Sequence, residues 1–217
     1  MLEKCIRVFE RLGSGSNCVV NKCNILYGDT WVNSVYKTLY IPVPLIAEDI
    51  RSDFIEIRRS IVESNVSVPD LYFCGISDFV ENRNDKVDSN GLYLIIIESY
   101  EGLSIKDLIK SKILGTSGNT WLFKKCESFI NTFPENIPLD VNPGNITLSN
   151  NEKLRFIDFI PSFPWKYVNH KEKEADFIKV FPTLTVTLSD KDNRDRYYCR
   201  EKRIEKFNYH IRKLLAE

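Results

Sequence analysis

Residues 138–148 read PLDVNPGNITL, and residues 154–159 read LRFIDF. Asp140 and Asn145 lie five positions apart in a loop that contains Pro and Gly, and Asp158 follows Asn145 by thirteen positions. An Asp and an Asn in a turn often bind only their own backbone, as in an Asx-turn. The apolar surroundings of Asp158 favour a further role, because a buried Asp is seldom found unless it is paired or bound to a metal.

Upstream of residue 100 the pattern predicts a β-rich part. The runs 6–12, 18–26 and 31–40 predict three antiparallel strands, joined by the turn-prone GSGSN at 13–17 and YGDT at 27–30. The runs 71–76 and 92–100 predict two more strands. Between them, residues 48–64 repeat apolar side chains at the period of an amphipathic helix, at Ile50, Phe54, Ile57 and Ile61. Residues 1–100 are therefore predicted to form a five-stranded antiparallel sheet with one helix.

Downstream of residue 101 the pattern is mainly helical. SIKDLIKSKI predicts a short helix with Ser104 as its N-cap and Asp107 at the capping-box position. Residues 120–133 predict a longer helix. Residues 195–215 predict a terminal helix whose lysines and arginines form a solvated face. Residues 101–217 are thus predicted to form a smaller, mainly helical part, and the fold class is α+β.

A glycine-rich turn and a strand lysine form a second candidate constellation. A glycine pair between two strands is usually only a turn, and a strand lysine is usually solvated. Together they have the parts needed to cover a nucleotide, because backbone amides can approach phosphates and an ammonium can reach them from the neighbouring strand. The candidate residues are Gly13, Ser14, Gly15, Ser16, Val20 and Lys37.

The predicted helix supplies a carboxylate for this lysine. Glu56 follows Lys37 by nineteen positions and could orient it through an ion pair, whereas Glu48 and Glu63 flank the same helix. Its position in the middle of the helix makes Glu56 the carboxylate that is expected to face the sheet.

Composition narrows the class of partner. The chain of 217 residues carries 30 basic and 30 acidic side chains, so no field of one sign indicates a nucleic acid or a membrane surface. Its six cysteines include no CxxC pair, which favours a reducing compartment. The first residues, MLEKCIRVFERLG, contain no apolar stretch of signal-peptide length. We expect a cytoplasmic protein, or one that is secreted into a host cell if it is an effector.

These motifs resemble the protein-kinase-like superfamily, and within it the aminoglycoside and choline phosphotransferases and minimal bacterial kinases. LDVNPGN is similar to the family's catalytic loop, and FIDF is similar to its metal-binding segment. The resemblance covers residues 10–160 in the same order: the GSGS loop, VYK, a helix glutamate, LIIIESYEG as the interlobe hinge, the catalytic loop and the metal aspartate. It implies a two-lobed kinase-like fold that uses ATP and Mg²⁺.

The resemblance also implies a role for each candidate residue. Asp140 would accept or orient the proton of the acceptor hydroxyl, and Asn145 and Asp158 would hold Mg²⁺. Lys37, oriented by Glu56, would bind the α- and β-phosphates. The backbone of the hinge would hydrogen-bond adenine at Glu98, Ser99 and Tyr100.

The chain also departs from the family pattern. Pro138 stands where the family usually has His, Cys18 replaces the third glycine of the loop, and Ile160 stands where protein kinases have Gly. No Ala-Pro-Glu segment follows. These departures leave the subfamily undecided.

The sequence therefore leaves three functions open. The first is a minimal protein Ser/Thr kinase of bacterial or effector type, favoured by the small second part. The second is a small-molecule phosphotransferase, favoured by the NPGN loop, and the third is a pseudokinase that serves as an interaction module. The acceptor and the oligomeric state are not predicted. His170 and His210 are isolated in the sequence and are expected to be surface or hydrogen-bonded histidines.

Overall fold

The structure is a computed structural model that describes residues 5–14, 18–78, 91–112, 115–135, 137, 139–149, 151–158 and 191–217. The chain divides into two compact units. The described residues of the first unit lie within 1–55 and 70–100, and those of the second lie within 56–69, 101–162 and 185–217. One division falls between Tyr100 and Glu101, where the sequence predicts the boundary. The segment 56–69 clusters with the second unit.

The first unit is built on a five-stranded antiparallel sheet. Its strands are β1 (Ile6–Ser14), β2 (Cys18–Tyr27), β3 (Thr30–Ile41), β4 (Leu71–Ser77) and β5 (Leu92–Ser99), and they are ordered β1-β2-β3-β5-β4. Tyr27 pairs with Thr30 across a two-residue turn, where Gly28 adopts a φ of 60°. A two-residue hairpin turn requires positive φ at its first position, which Gly adopts without strain. The predicted α+β class and five-stranded antiparallel sheet are confirmed.

The two faces of this sheet differ in character. One face carries a cluster of buried apolar side chains, Cys23, Ile25, Tyr93, Ile95 and Ile97. Because side chains alternate along a strand, the intervening residues lie on the other face. Val20 pairs with Lys37, and Lys37 pairs with Ile96, so these three side chains share that second face.

A long helix, α1 (Ala47–Glu63), follows a short 3-10 turn at Pro44–Ile46. The predicted apolar positions Ile50 and Ile61 are completely buried. Asn65 ends the helix with a φ of 59°, and the Val66 amide donates to the Ile61 carbonyl at 3.2 Å. This pattern is a Schellman C-cap, in which Asn replaces the more usual Gly.

The second unit combines short strands with helices. Strands β6 (Leu103–Ser104), β7 (Ile146–Leu148) and β8 (Leu154–Phe156) form a three-stranded sheet in that order. The helices are α2 (Ile105–Lys110), α3 (Thr116–Ile130), α4 (Lys191–Tyr198) and α5 (Arg200–Ala216). The Ser104 hydroxyl accepts from the Asp107 amide at 3.1 Å, which confirms the predicted N-cap of α2.

The terminal segment forms two helices where the sequence predicts one. Cys199 separates them with an extended backbone, φ −74° and ψ 127°. The Tyr197 carbonyl accepts from the Leu139 amide at 3.0 Å and from Arg203 Nε at 2.7 Å. These tertiary hydrogen bonds occupy a carbonyl that a continuous helix would use in its own ladder, so α5 starts again after the break. No helix in the described ranges is both long and apolar enough to cross a membrane.

Candidate functional site

The loop 139–145 presents one carboxylate to the surface of the second unit. Leu139 and Val141 are completely buried on either side of Asp140, whose side chain is 28% exposed. The Asn142 side-chain carbonyl accepts from the Gly144 amide at 2.8 Å, and the Asn145 amide donates to the Asn142 carbonyl at 3.0 Å. The Asx-turn that the sequence allows is therefore made by Asn142, so the side chains of Asp140 and Asn145 can serve other contacts.

Both carboxylate oxygens of Asp140 are held in place. Oδ1 lies 2.5 Å from the ammonium of Lys206. Oδ2 accepts from Asn142 Nδ2 at 3.0 Å and from Asn145 Nδ2 at 3.4 Å. The carboxylate therefore has a fixed orientation, and each of its oxygens retains a lone pair that can accept another hydrogen bond.

Asn145 is oriented by the same aspartate. Its Nδ2 also donates to the Asp140 backbone carbonyl at 2.8 Å. Because Nδ2 is directed to Asp140, the amide oxygen Oδ1 is directed away from it. Oδ1 is a neutral oxygen ligand of the type that Mg²⁺ accepts.

Asp158 follows the β7–β8 hairpin, and the backbone ties its neighbour to Asn145. The Ile157 amide donates to the Asn145 carbonyl at 3.0 Å. The expectation that Asp158 is buried is wrong, since its side chain is exposed. The reason is that strand β8 ends at Phe156, so the burial of the apolar run stops before it reaches the aspartate.

One amide and one carboxylate fit a magnesium ion that is shared with phosphates. Mg²⁺ is commonly held by one or two protein carboxylates together with substrate phosphate oxygens. Within the described residues, no group of three or more His, Cys, Asp or Glu side chains could hold a metal ion alone. Asn145 and Asp158 supply one amide oxygen and one carboxylate, which are kinds of protein ligand that Mg²⁺ accepts.

Sequence reasoning missed Lys206, which contacts Asp140 from helix α5. Arg203, Lys206, His210 and Lys213 are spaced by three, four and three positions, so they lie on one stripe of the helix. The expected solvated basic face is wrong for Arg203, which is completely buried, and for Lys206, whose side chain is only 16% exposed. The sequence contains a pattern that could have indicated this contact. Basic residues repeat at the helical period of 3.6 residues, next to the apolar residues that repeat at the same period.

Arg203 fixes this helix to the segment that precedes the loop. Its guanidinium donates to the Tyr197 carbonyl at 2.7 Å, to the Pro134 carbonyl at 2.9 Å and to the Ile137 carbonyl at 2.6 Å. Burial lowers the pKa of Arg203 to about 10, so it stays protonated at neutral pH. An arginine with its hydrogen bonds satisfied in this way is a structural contact, and it sets the position of Lys206 one turn later.

A cavity of about 410 Å³ opens beside Asp140 within the second unit. Its charged lining residues come from α2, from the loop, and from α5 with the residue that follows it: Lys106, Lys110, Asp140, Lys206, Lys213 and Glu217. His210 also lines it. The pKa of His210 is lowered by partial burial and by the nearby ammonium groups of Lys206 and Lys213, while Asp140 opposes the shift. At neutral pH the imidazole is therefore uncharged.

In the first unit, Lys37 pairs with a buried glutamate. Its Nζ lies 2.7 Å from Oε2 of Glu98, and the two side chains are 14% and 1% exposed. Among the described residues, neither oxygen of Glu98 makes a hydrogen bond of good geometry, so the contact is an ion pair without aligned hydrogen bonds. Lys37 lies opposite Ile96, two positions from Glu98, which makes the lysine and the glutamate diagonal neighbours on one face.

The side chain of Glu56 is exposed, and its ion pair with Lys37 stays a prediction. The buried positions of α1 include Ile50, Asp53 and Ile57. Glu56 is next to Ile57 in sequence and is thus rotated by about 100° from it around the helix. Asp53, which is 3% exposed, is the carboxylate that the phase of α1 buries.

The backbone of the predicted hinge, Glu98 to Tyr100, makes hydrogen bonds within the first unit. The amide of Ser99 donates to the Asp70 carbonyl at 2.8 Å, and the amide of Tyr100 donates to the Asn33 carbonyl at 3.2 Å. Glu98 lies in a strand that is paired on both sides, with Val35 and with Leu71. The backbone amides of Ser99 and Tyr100 are thus engaged inside the unit, and the Glu98 side chain contacts Lys37. Adenine binding by the backbone of the hinge stays a prediction.

The glycine-rich turn is described only in part. Gly13 pairs with Val20, which pairs with Lys37, so the three residues are consecutive neighbours across the sheet. A methyl group added at Gly13 would meet no atom within 4 Å. The backbone of Ser14 ends β1. Gly15, Ser16, Pro138 and Ile160 lie outside the described residues.

The cysteines do not supply a nucleophile at the buried positions. All six are free thiols. Burial raises the pKa of Cys23 and Cys74 to about 11 and that of Cys126 to about 12, so these three are protonated at neutral pH. Thiolate chemistry at these positions is therefore not expected.

The candidate residues thus form two separate groups, one within each unit. Lys37 and Glu98 lie in the first unit, and Asp140, Asn145, Asp158 and Lys206 lie in the second. In comparisons with known proteins, no protein-family model matches this chain and no curated protein matches it.

Proposed function

We propose that this chain is an ATP- and Mg²⁺-dependent phosphotransferase of kinase-like, two-lobed fold that transfers the γ-phosphate to a hydroxyl group. The observation that carries the proposal is the hydrogen-bonded pair of Asp140 and Asn145. A single aspartate fixes the amide of Asn145, and the backbone of Asn145 binds the residue before Asp158. A base and a pair of metal ligands are thus connected within one loop and one hairpin.

The chemistry assigned to Asp140 is that of a general base. An acceptor hydroxyl at the exposed edge of Asp140 can donate its proton to a carboxylate oxygen. The oxygen of the acceptor hydroxyl then forms the bond to the γ-phosphorus. The bond from that phosphorus to the β,γ-bridging oxygen breaks, and its electron pair leaves with ADP. Phosphoryl transfer needs positioning and charge stabilisation more than covalent help, so a fixed carboxylate is sufficient on the protein side.

The remaining residues would bind and neutralise the nucleotide. Asn145 and Asp158 would hold Mg²⁺, which supplies charge neutralisation at the phosphates when it is bound. Lys37 has the residual exposure needed to reach a phosphate, and Glu98 keeps its ammonium on the face that also carries Val20. The open space above Gly13 supports close approach of a phosphate to that strand.

The acceptor class distinguishes the two active alternatives. A protein Ser/Thr kinase would bind an extended peptide, and a small-molecule kinase would enclose its acceptor. The cavity beside Asp140 has the volume of a small-molecule site, which supports the second alternative. A pseudokinase would bind nucleotide without transfer, so only an activity measurement separates it from the other two.

The test compares binding with transfer in Asp140→Asn. We expect Mg²⁺-ATP affinity, measured by calorimetry, to stay within about twofold of the unmodified chain, while transfer from γ-labelled ATP to acceptors in a cell lysate falls by roughly 10² to 10⁴, as for a lost general base. Glu152→Gln, which neutralises an exposed carboxylate in the turn after β7, is the matched control and should change neither. Thermal melting of each variant excludes a folding defect.

Either of two outcomes refutes the proposal. One is transfer by Asp140→Asn at the rate of the unmodified chain. The other is ATP binding without any labelled product in the unmodified chain, which would favour the pseudokinase.

A further inference from the structure

The cavity beside Asp140 has an excess of positive charge. Four of its lining side chains are lysines and two are carboxylates, while the whole chain balances 30 basic with 30 acidic residues. The excess is therefore a local property of this cavity and does not reflect a basic chain.

Both carboxylates are already paired with cavity lysines. Asp140 pairs with Lys206 at 2.5 Å, and Glu217 lies 3.5 Å from Lys110. Lys106 and Lys213 form no ion pair within the described part of the chain, and both are exposed at the cavity. Their two charges are the uncompensated ones.

The two unpaired lysines come from different elements. Lys106 lies in the first turn of α2, and its amide donates to the Pro143 carbonyl at 2.9 Å, which ties it to the loop of Asp140. Lys213 lies near the end of α5, on the same stripe as Lys206 and His210. An anionic group between Lys106 and Lys213 would be bound from two sides. The rest of the same molecule would then lie beside Asp140.

We infer that the cavity binds the acceptor and that the acceptor is a small anionic hydroxyl compound, one that already carries a phosphate or a carboxylate group. This inference rests on the proposed phosphotransferase function and specifies its substrate class. The anionic group binds at Lys106 and Lys213, and the hydroxyl group lies at Asp140. Cationic acceptors such as amino sugars or choline are disfavoured, because the lysines repel them.

His210 lines the cavity, so the NMR signals of its ring can report binding of an anion there. An anion bound near the imidazole stabilises its protonated form, so the pKa of His210 should rise towards its ordinary value when the anion binds. The chain contains only two histidines, His170 and His210, so the ring signals are assigned with a single His170→Gln variant.

The first experiment measures binding by NMR of the His210 ring in the full-length chain. The probes are glycerol 3-phosphate, glycerol and choline, each added in the presence of Mg²⁺ and a non-hydrolysable ATP analogue so that a nucleotide occupies its own site. We expect saturable shifts with glycerol 3-phosphate only, and a loss of affinity with added salt.

A pair of double variants tests the two lysines. Lys106→Met with Lys213→Met should weaken binding of glycerol 3-phosphate by about tenfold, as expected for two partly screened charges. The control is Lys202→Met with Arg212→Met, which removes the same charge from exposed positions of α5 that do not line the cavity. It should bind the probe as the unmodified chain does.

Several results would overturn the inference. These are equal shifts with glycerol, tighter binding of choline, equal weakening in both double variants, or competition between glycerol 3-phosphate and the ATP analogue. Competition would mean that the lysines bind phosphates of the nucleotide itself.

The second experiment identifies the labelled product. γ-Labelled ATP is incubated with the chain and with small molecules from a cell extract that are separated into anionic, neutral and cationic fractions. Label in the anionic fraction supports the inference, whereas label in another fraction or in protein bands overturns it. If glycerol 3-phosphate binds through the lysines but no fraction is labelled, the cavity is an anion-binding site. The proposed phosphotransferase function, and the role of the anion as acceptor, would then be refuted.

Discussion

The ion pair of Lys37 and Glu98 allows a sharp test of the first unit. Glu98 is 1% exposed and its partner ammonium lies 2.7 Å away. Lys37→Met removes the only positive charge in contact with this carboxylate among the described ion pairs, and Glu98→Gln removes the negative charge with little change of shape. The double variant replaces the ion pair with a neutral pair on the same sheet face.

The expected loss of unfolding free energy follows from the burial of this ion pair. Removing one partner of a buried ion pair leaves an uncompensated charge and typically costs about 3–5 kcal/mol, which we expect for Lys37→Met. Glu98→Gln leaves a lysine that is 14% exposed and can reach water, so we expect a smaller cost of about 1–3 kcal/mol. The double variant leaves no buried charge, and we expect it to cost no more than about 2 kcal/mol, well below the sum of the single variants.

Urea unfolding followed by circular dichroism measures these costs, provided that the slope of free energy against urea stays constant. Glu48→Gln is the matched control, because it breaks a 2.6 Å pair with Arg51 whose glutamate is 67% exposed. An exposed pair of this kind should contribute about 0.5 kcal/mol. Costs of Lys37→Met and Glu98→Gln that simply add in the double variant would refute the buried pair, and with it the assignment of Glu98 as a residue that positions Lys37.

Three further predictions test other parts of the site. Gly13→Ala should leave the melting temperature unchanged, because the added methyl group meets no atom within 4 Å, but it should weaken Mg²⁺-ATP binding in calorimetry if a phosphate lies there. The pKa of His210, measured by NMR titration, should rise in Lys206→Met and fall in Asp140→Asn, since the ammonium lowers it and the carboxylate raises it; shifts of the same sign would contradict the geometry. Arg203→Met should lower the unfolding free energy in urea by about 3–5 kcal/mol, because three carbonyls lose a buried charged donor.

Much of the fold could be predicted because its signals are local. Alternating apolar residues and the Gly28 turn specify the hairpins, and the apolar period of 48–64 specifies α1. The break at Cys199 could not be predicted in this way. It depends on hydrogen bonds from Leu139 and Arg203 to one carbonyl, and these residues are brought together only by tertiary folding.

The same limit applies to the candidate site, where only contacts between residues close in sequence could be predicted. Asp140 and Asn145 are close in sequence, so their loop chemistry was visible and their hydrogen bonds have now been located. Glu98, which pairs with Lys37, is 61 positions away in β5, at a distance set by strand register, so local sequence patterns do not indicate this pair. Lys206 was missed because its contact with Asp140 joins elements that are 66 positions apart.

Helix α5 contacts both the proposed base, Asp140, and the proposed acceptor cavity. Arg203 fixes the start of the helix to carbonyls ahead of the loop 139–145. Lys206 holds Asp140 one turn later, and Lys213 lines the cavity two turns after that. Because the residues lie on one stripe of a continuous helix, a displacement at Arg203 moves both Lys206 and Lys213. Loss of Lys213 removes only charge from the cavity. Under the proposed function, a change at Arg203 should therefore affect both the position of Asp140 and recognition of the acceptor. A change at Lys213 should affect recognition alone.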